Sequence, residues 1–303
     1  MRIALIHGLK RLLGKNVISR FYNALGFLSD ESYIRLIYRL RMGKKLNLDN
    51  PRTFTEKLQW LKLNDHNPEY TKMADKLAMR SYVGDRIGEG HAVPVLGTWK
   101  RFEDIDFDLL PDRFVLKTTH DSGSYIICRN KACFDRKNAR KVLTRSLKRR
   151  YYRTTREWQY KDIEPAIIAE QYLDDGKTNL TDYKFFCFNG KPVFMYSEEE
   201  SSGNPTQAIA DMQYNMMPFS MDDAKADVLP PKPLLFDVMA SASEKLSEGL
   251  PFLRVDMYCI GDVFYVGELT FYHYGGFIPF NPVEWDEKLG DLLDLSKVKG
   301  SDR

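Results

Sequence analysis

Two stretches in the second half of the chain alternate apolar and polar positions in the manner of β-hairpins. Over residues 252–271, two arms rich in aromatic and β-branched residues are separated by the turn dipeptide Gly-Asp at 261–262. Over residues 182–196, two similar arms are separated by Asn-Gly at 189–190, the strongest short-range turn signal. The pattern therefore predicts two hairpins, each of which presents polar side chains at alternate positions.

Helices and further strands are predicted around these hairpins. Thr53 stands three residues before Glu56, at the spacing of a capping box, so a helix is predicted to begin there. Apolar residues at helical spacing predict further helices over 70–83, 136–153 and 234–250. Apolar, β-rich runs predict strands over 91–99, 114–119, 125–128 and 165–173. The polar stretch 197–231 is predicted to form a long loop.

The composition is that of an ordinary globular protein. Of 303 residues, 43% are hydrophobic and 29% are charged, and the formal net charge is +3. This small charge indicates no nucleic-acid partner, and no apolar run approaches the ~20 residues that span a bilayer. The four cysteines form no zinc-binding pattern and suit a reducing cytoplasm, where we expect the protein to be.

Positive charge is concentrated near the N-terminus. Residues 1–50 contain ten Lys or Arg residues and three Asp or Glu residues. Apolar residues recur among the basic ones at helical spacing and predict a basic amphipathic helix: Leu5, Leu9, Leu12, Leu13, Val17 and Phe21. One interpretation is a helix that lies on the anionic inner face of the cell membrane. The other is a helix that packs on its own domain and exposes a solvated basic face.

A second basic stretch, residues 136–153, contains nine Lys or Arg residues. Val142, Leu143 and Leu147 give it an apolar side, as expected for a helix. The stretch fits contact with an anionic polymer or a lipid surface, but a solvated helix face is the default interpretation of such a charge run.

Two carboxylates on the late hairpin form a candidate metal site. Asp256 lies in the first arm, and Glu268 lies in the second arm on the face of Val266 and Thr270. If the loop consists of the three residues 260–262 and is accompanied by a bulge, Asp256 and Glu268 are nearly opposite each other. Their Cβ atoms are then roughly 5 Å apart.

Two carboxylates at this separation repel each other, and a divalent cation removes the repulsion. Mg²⁺ takes one or two protein carboxylates and fills its other positions with water and phosphate oxygens. The alternative is that one or both carboxylates point to solvent or pair with Arg254 or a lysine.

Two lysines and a small-residue segment are candidates for binding phosphate. Lys117 lies in an otherwise apolar strand, where its charge needs a partner. The following polar segment contains Gly123, and small residues let backbone N–H groups approach phosphates, although Walker A spacing is absent. Lys184 is presented from the strand that leads into the Asn-Gly turn. The alternative for Lys117 is a side chain that extends to solvent at the strand end.

In this order, these features resemble the ATP-grasp superfamily and, more closely, the TupA-like ATP-grasp family. That family is named for teichuronopeptide synthesis and is found among bacterial genes for cell-surface polysaccharides. The resemblance spans most of the chain after the basic N-terminus and is carried by the stretches 50–60, 74–76 with Arg80, 114–117, 120–123, 156–160, 182–186, 254–256 and 267–271.

The resemblance implies an α+β fold of the ATP-grasp type, in which two α+β lobes hold ATP. It implies four parts along the chain: a basic amphipathic helical extension (1–48), a lobe that precedes the ATP-grasp lobes (49–112), a first ATP-grasp lobe (113–169) and a second ATP-grasp lobe with the metal site (170–303).

The resemblance also implies a role for each candidate residue. ATP would be bound by Lys117, Ser122, Gly123, Glu170, Tyr172 and Lys184, with Glu170 and Tyr172 at the nucleotide hinge. Mg²⁺ would be bound by Asp256, Glu268 and Thr270. Thr270 stands where ATP-grasp enzymes commonly have Asn, and its hydroxyl can still coordinate. Arg254 would hold an acyl phosphate, and Lys184 would stabilise charge on the transferred phosphoryl group.

The implied chemistry is carboxylate activation. ATP phosphorylates a substrate carboxylate, and an amine then attacks the acyl phosphate to form an amide. The family implies that an amino acid or other amine is joined to a uronic acid of a capsular or other cell-surface glycan.

Two other classes of function stay open at this point. A metal-dependent glycosyltransferase ordinarily has an Asp-x-Asp motif near its nucleotide-sugar site, and Asp104 and Asp106 match this motif only as a string. A non-catalytic module for anionic glycans or membrane surfaces would use the two basic stretches, and its binding would survive the loss of Asp256 and Glu268.

Overall fold

The computed structural model of the protein describes residue 22 and residues 24–176, 180–201, 204–221 and 224–298. The predicted amphipathic helix over 5–21 lies outside these residues, so both of its interpretations remain expectations. Within the described residues, none of the helices combines the length and the apolar character required to cross a membrane.

The helices lie before, between and after the strands. They are α1 (Asp30–Met42), α2 (Phe54–Asn64), α3 (Glu69–Ala74), α4 (Met79–Ile87), α5 (Arg136–Leu147), α6 (Tyr152–Thr155), α7 (Phe236–Ser247) and α8 (Glu284–Leu292). The predicted helix over 234–250 is thus confirmed as α7. The predicted helix over 136–153 is shorter than expected, because α5 ends at Leu147 and only the short α6 follows.

The capping box at the start of α2 is confirmed. The Thr53 hydroxyl accepts a hydrogen bond from the Glu56 amide (3.3 Å), and the Glu56 carboxylate accepts one from the Thr53 amide (3.2 Å). The prediction of one helix over 70–83 is wrong, since α3 and α4 are separate. Asp75 interrupts them: its backbone is extended and its carboxylate accepts the Leu77 amide (2.8 Å).

The strands form two larger sheets and a small one. They are β1 (Val95–Trp99), β2 (Phe114–Thr118), β3 (Tyr125–Cys128), β4 (Ile167–Gln171), β5 (Asp182–Phe188), β6 (Lys191–Ser201), β7 (Asn204–Asp211), β8 (Ser220–Met221), β9 (Ala224–Lys225), β10 (Phe252–Ile260), β11 (Val263–Thr270) and β12 (Phe280–Asn281). The four-stranded sheet has the order β1-β4-β2-β3, the six-stranded sheet the order β11-β10-β5-β6-β7-β9, and β12 pairs with β8.

The four-stranded sheet buries one face against α5. Phe114 and Leu116 of β2 are fully buried and share a hydrophobic cluster with Ala139 and Leu143 of α5. Because strand side chains alternate, Lys117 is turned to the opposite face of the sheet. The sheet also includes β1, which precedes the expected start of the first ATP-grasp lobe at residue 113.

Both predicted hairpins are confirmed in the six-stranded sheet. The strands β5 and β6 flank the Asn-Gly turn at 189–190, and β10 and β11 flank the Gly-Asp turn at 261–262. The predicted long loop over 197–231 is wrong, because β6 continues to Ser201 and pairs with β7. The apolar residues 208–210 of β7 are buried, and this short run inside a polar stretch holds β7 in the sheet.

The two larger sheets meet through the segment that precedes β1. The Val266 amide of β11 donates a hydrogen bond to the His91 carbonyl (2.6 Å), and Ala92 forms a parallel bridge with Val266. The chain then passes directly into β1. This connection places β1 of the four-stranded sheet close to the hairpin that carries Asp256 and Glu268.

Candidate functional site

A row of four polar side chains crosses the six-stranded sheet. Lys184 is in register with Tyr196 on β6 and with Asp256 on β10, and Asp256 is in register with Glu268 on β11. Cross-strand partners share a face of the sheet. A cation therefore lies on one side of Asp256 and a second carboxylate on the other. Asp256 and Glu268 are directly opposite each other, as predicted.

The route by which the two carboxylates come together differs from the prediction. The loop has two residues, since Ile260 pairs with Val263, and the irregularity lies at Gly267, between the partners of Asp256 and Met257. This bulge places Val266 opposite Met257, on the other face from Glu268. The expectation that Glu268 shares a face with Val266 is therefore wrong, because one extra residue reverses the alternation.

Arg254 binds Asp256 in a two-pronged ion pair. The guanidinium donates from Nε to Oδ1 (2.7 Å) and from Nη2 to Oδ2 (2.6 Å), and Nη2 also donates to the Thr270 hydroxyl (3.1 Å). Burial disfavours the charge of Arg254, but Asp256 outweighs burial and raises the pKa of Arg254 above its ordinary value. The pairing considered as the alternative to a metal site is thus present for Asp256, while Glu268 is partly exposed.

His273 extends this network behind Arg254. Its Nδ1 atom lies 2.6 Å from Arg254 Nη1, and its side chain is fully buried. Burial, together with the charges of Arg254 and Lys184, holds the pKa of His273 well below its ordinary value. The ring is therefore neutral and accepts the hydrogen bond from Arg254. The sequence analysis did not single out His273, because only the three-dimensional turn after β11 brings it to Arg254.

Asp182 is a further site residue that the sequence analysis did not assign. Its carboxylate forms an ion pair with Lys184, two positions along β5, and Asp182 is in register with Tyr258 of β10. Burial raises the pKa of Asp182 to about 6 against the opposing cation of Lys184, and Asp256 adds to the rise. Among the described residues, Asp182 Oδ1 has no hydrogen-bond partner.

Lys117 and Glu170 meet on the four-stranded sheet. Glu170 is 2% exposed, and its two oxygens lie 2.6 Å from Lys117 Nζ and 3.0 Å from Arg80 Nη2. Arg80 of α4 also donates to the Val93 carbonyl. The charge of Lys117 is therefore balanced by Glu170, and the expectation that Lys117 needs a partner is met within the protein.

Tyr172 follows β4 and forms a cation–π contact with Arg113, whose guanidinium lies 5.1 Å from the centre of the tyrosine ring. Arg113 also pairs with Asp174, so this segment is held by polar contacts near the surface. The roles of Glu170 and Tyr172 in binding a nucleotide remain predictions.

A buried carboxylate, that of Asp121, stabilises the segment between β2 and β3. Asp121 is fully buried and accepts hydrogen bonds from Thr118 (2.5 Å), Ser124 (2.6 Å) and Ser146 (2.7 Å). Gly123 has φ of 80°, a conformation that favours glycine. The predicted phosphate-binding tip, with Ser122 and Gly123, thus lies between Thr118 and Ser124, whose hydroxyls are both bonded to Asp121.

A cavity of about 2490 Å³ opens beside the row of polar residues. Five of the predicted site residues line it or lie at its rim: Ser122, Lys184, Arg254, Glu268 and Thr270. Lys117, Glu170 and Tyr172 do not line it. The cavity therefore includes the predicted catalytic residues Arg254 and Lys184 but not the predicted nucleotide hinge.

A buried lysine, Lys62, and a buried glutamate, Glu157, influence each other electrostatically beside this cavity. Lys62 of α2 is 2% exposed and donates to the carbonyls of Thr155 (3.1 Å) and Gly275 (2.6 Å). Burial lowers the pKa of Lys62 and raises that of Glu157, and each charge partly offsets the shift of the other. Glu157 lines the cavity. The sequence analysis did not single out Lys62 or Glu157, since they are far apart along the chain.

The donor set fits Mg²⁺ and a nucleotide phosphate. Asp256, Glu268 and Thr270 offer two carboxylates and a hydroxyl, and Mg²⁺ completes such a partial set with water and phosphate oxygens. Within the described ranges, no group of three or more His, Cys, Asp or Glu residues is placed to hold a metal ion by itself. A cation here would therefore depend on oxygens from a bound ligand.

The chain was compared with models of protein families and with curated proteins. The sequence model of the TupA-like ATPgrasp family matches residues 56–294. A comparison with curated proteins found no match.

Solved structures show more distant similarity. D-alanine–D-alanine ligase from Bacillus anthracis, complexed with ATP, is 18% identical with a TM-score of 0.38, over 65% of this chain and 54% of that chain. The ATP-grasp ligase PsnB, complexed with its minimal precursor, is 14% identical with a TM-score of 0.41, over 80% and 67%. A RimK domain protein from Sphaerobacter thermophilus is 16% identical with a TM-score of 0.39, over 74% and 69%. The chain thus spans little more than half the length of the first of these proteins.

Proposed function

Since the chain belongs to the TupA-like ATP-grasp family, we propose that it is an ATP- and Mg²⁺-dependent ligase that joins a carboxylate to an amine. ATP-grasp enzymes use ATP and Mg²⁺. The observation that supports the proposal best is the row Lys184, Asp256 and Glu268, of which Lys184 and Glu268 line the large cavity.

The proposed reaction has two steps. A carboxylate oxygen of the acceptor attacks the γ-phosphorus of ATP, the bond to the β-phosphate oxygen breaks, and an acyl phosphate and ADP form. The amine nitrogen then attacks the acyl carbon, the carbon–oxygen bond to phosphate breaks, and an amide, inorganic phosphate and a proton result. Positioning and charge stabilisation account for most of the protein's part in such a transfer.

The residues of the site supply the charge that these steps require. Asp256, Glu268 and Thr270 would hold Mg²⁺, which neutralises phosphate charge when bound. Lys184, beside Asp256, and Lys117, on the neighbouring sheet, would bind phosphate oxygens. Lys117 already pairs with Glu170, so its ammonium group would have to contact a phosphate oxygen and Glu170 at the same time.

Arg254 has one donor left for the acceptor. A guanidinium has five N–H donors. Two go to Asp256, one to Thr270 and one to His273, and Arg254 lines the cavity. The remaining N–H at Nη1 would bind the acceptor carboxylate or the acyl phosphate, while the four bonds inside the protein prevent the guanidinium from turning away.

We further propose that the acceptor is a uronic acid of a bacterial capsular or other cell-surface polysaccharide and that the amine belongs to an amino acid or another small amine. This acceptor follows from the association of the family with surface polysaccharide synthesis. We also propose that the protein is located in the cytoplasm and that its N-terminal segment contacts the inner surface of the cell membrane.

The glycosyltransferase alternative gains no support from the site. Asp104 and Asp106 are exposed, and Asp104 is bonded to Arg101 (2.5 Å). Neither lines the cavity. Within the described chain, this Asp-x-Asp string lies on the surface, where Asp104 ends a short 3-10 helix.

Thermal melting with and without ATP–Mg²⁺ tests the proposal. A ligand that binds only the native state stabilises it by about 2.7 kcal/mol at 100 times its Kd. We expect wild type and the surface control Glu287→Gln to show a shift that requires Mg²⁺, and we expect Glu268→Gln to lose most of it. If ATP–Mg²⁺ gives no shift and a nucleotide sugar does, the ligase proposal is wrong.

A further inference from the structure

The lining of the large cavity is strongly positive, whereas the protein as a whole is close to neutral. The chain has 45 Lys and Arg residues and 42 Asp and Glu residues, whereas ten Lys and Arg residues and only two glutamates line the cavity. Arg254 and Lys184 belong to the predicted centre of reaction. The remaining basic residues extend the positive wall well beyond the space that a single carboxylate occupies.

Three of these basic residues are not used to hold the protein together. Lys148, Arg150 and Arg153 are exposed, and within the described residues they form no ion pair. Arg156 shows the contrast, since it is 5% exposed and pairs with Asp30 at 3.3 Å. The uncommitted cations are therefore available to a ligand, while Arg156 serves the fold.

The positive wall continues along α5. A shallow cavity of about 430 Å³ lies on this helix and shares Arg145 and Lys148 with the large one. Lys137 and Lys141, four positions apart and exposed, line its other part, and residues at this spacing lie on one face of a helix. From position 137 to position 148, a helix extends about 16 Å.

The shape and the aromatic lining favour a chain of sugars over a flat surface. The volume of about 2490 Å³ exceeds the roughly 300–1,000 Å³ of ordinary small-molecule sites. Tyr151, Tyr160, Tyr272 and Tyr274 line it and offer ring faces together with hydroxyls. A lipid surface could touch the exposed side of α5, but it could not enter the concave part that leads to Arg254.

We propose that the basic track, defined as Lys137, Lys141, Arg145, Lys148, Arg150 and Arg153, binds a linear acceptor that carries negative charges in addition to the carboxylate that reacts. The identity of the reacting group rests on the proposed function. A polymer whose repeat unit carries a carboxylate supplies both the group that reaches Arg254 and the charges that lie along the track. The acceptor class is therefore a polycarboxylate chain rather than a single sugar acid.

Binding of galacturonate oligomers of defined length, measured by calorimetry without ATP, tests this inference. We expect the hexamer to bind at least about tenfold more tightly than the monomer and to weaken as salt is raised. Lys137→Gln/Lys141→Gln should weaken hexamer binding by about threefold to tenfold and leave monomer binding unchanged, because these lysines do not line the cavity that contains Arg254. The control Lys245→Gln/Lys288→Gln removes the same charge from other exposed helix positions and should bind like wild type.

Three results would overturn the inference: equal affinity for hexamer and monomer, equal weakening by the two double variants, or loss of binding to phosphatidylglycerol vesicles in the Lys137/Lys141 variant with unchanged hexamer binding. The last would assign α5 to a membrane surface. Because binding is measured without ATP, the two proposals can fail separately. If the hexamer binds through the track but ATP–Mg²⁺ gives no thermal shift, the track is supported and the ligase proposal is wrong.

Discussion

Arg254 determines the protonation of the neighbouring His273. A guanidinium only donates hydrogen bonds, so His273 must accept at Nδ1 and carry its proton at Nε2. Within the described residues, that buried Nε2 has no hydrogen-bond partner. A second positive charge beside Arg254 would have to be buried as well. Protonation of His273 is therefore opposed by the very contact that places Arg254 against Asp256.

This arrangement predicts a dependence of stability on pH. The pKa of His273 is lowered in the folded state, so below pH ~6.5 the unfolded chain binds a proton that the folded chain does not. Stability is therefore complete above that pH and falls as the pH is lowered, by up to about 1.4 kcal/mol per pH unit. In His273→Asn, which keeps an acceptor for Arg254, this slope between pH 5 and 6.5 should become shallower.

Urea unfolding at several pH values measures the effect, with His66→Asn at an exposed position as the control. A slope that is the same in wild type and His273→Asn would show that His273 does not bind its proton differently in the two states.

The residues of the site were predictable to different degrees. A local pattern was enough to predict the hairpin and, with a bulge assumed, the pairing of Asp256 with Glu268, whereas the position of that bulge at Gly267 was not predicted. The partners of Glu170 were not predictable in this way. Arg80 reaches it from a helix ninety positions earlier in the chain, at 3.0 Å, and only the packing of α4 on the sheet creates that contact.

Among the elements, the hairpin β10–β11 depends on its bulge. A Cβ atom on Gly267 would lie 2.7 Å from the ring of Tyr258, closer than real Cβ contacts. The ring of Tyr258 therefore occupies the space that glycine leaves free. Turn chemistry predicted the hairpin, whereas the bulge results from a side chain on the other strand, so its position at Gly267 was not predictable from turn residues.

Gly267→Ala should accordingly destabilise the protein by about 1–3 kcal/mol and reduce the stabilisation by ATP–Mg²⁺. The added methyl group must displace Tyr258 or shift the bulge, and either movement changes the relation between Asp256 and Glu268. Gly261→Ala in the turn of the same hairpin is the matched control. Its φ of 60° makes alanine strained, but no atom lies within 4 Å of the new Cβ atom.

Urea unfolding and thermal melting with ATP–Mg²⁺ measure both effects. Gly261→Ala should cost stability and keep the shift caused by the ligand. If Gly267→Ala keeps that shift in full, the bulge is not required to position the two carboxylates.

At the scale of the whole molecule, the candidate site is divided between two sheets. Lys117 and Glu170 come from the four-stranded sheet, and Lys184, Asp256 and Glu268 come from the six-stranded sheet. The order of these elements was predictable from patterns and from family resemblance. The extension of the six-stranded sheet by β7 was not, because polar residues surround its short apolar run and tertiary pairing outweighs local composition.

A ligand that bridges the two sheets should couple residues that do not touch. Lys117→Ala and Glu268→Gln should each lose most of the stabilisation by ATP–Mg²⁺, equivalent to at least about a tenfold loss of affinity. The double variant should lose little more than either single variant, since one ligand requires both residues. In the control pair Lys288→Ala and Glu268→Gln, Lys288→Ala should leave the stabilisation by ATP–Mg²⁺ unchanged, alone or combined with Glu268→Gln. Additive losses for Lys117 and Glu268 would indicate two independent sites.

The bridge between the segment before β1 and the strand β11 also affects how the protein meets other copies of itself. β11 is the outer strand of its sheet, and an outer strand with free backbone groups is a template for edge-to-edge aggregation. Here the Val266 amide is bonded to His91, and the His91 ring stacks on Phe264 at 4.2 Å. A foreign strand must displace this segment before it can pair there. The hairpin that bears Asp256 and Glu268 is thereby protected against aggregation along its middle.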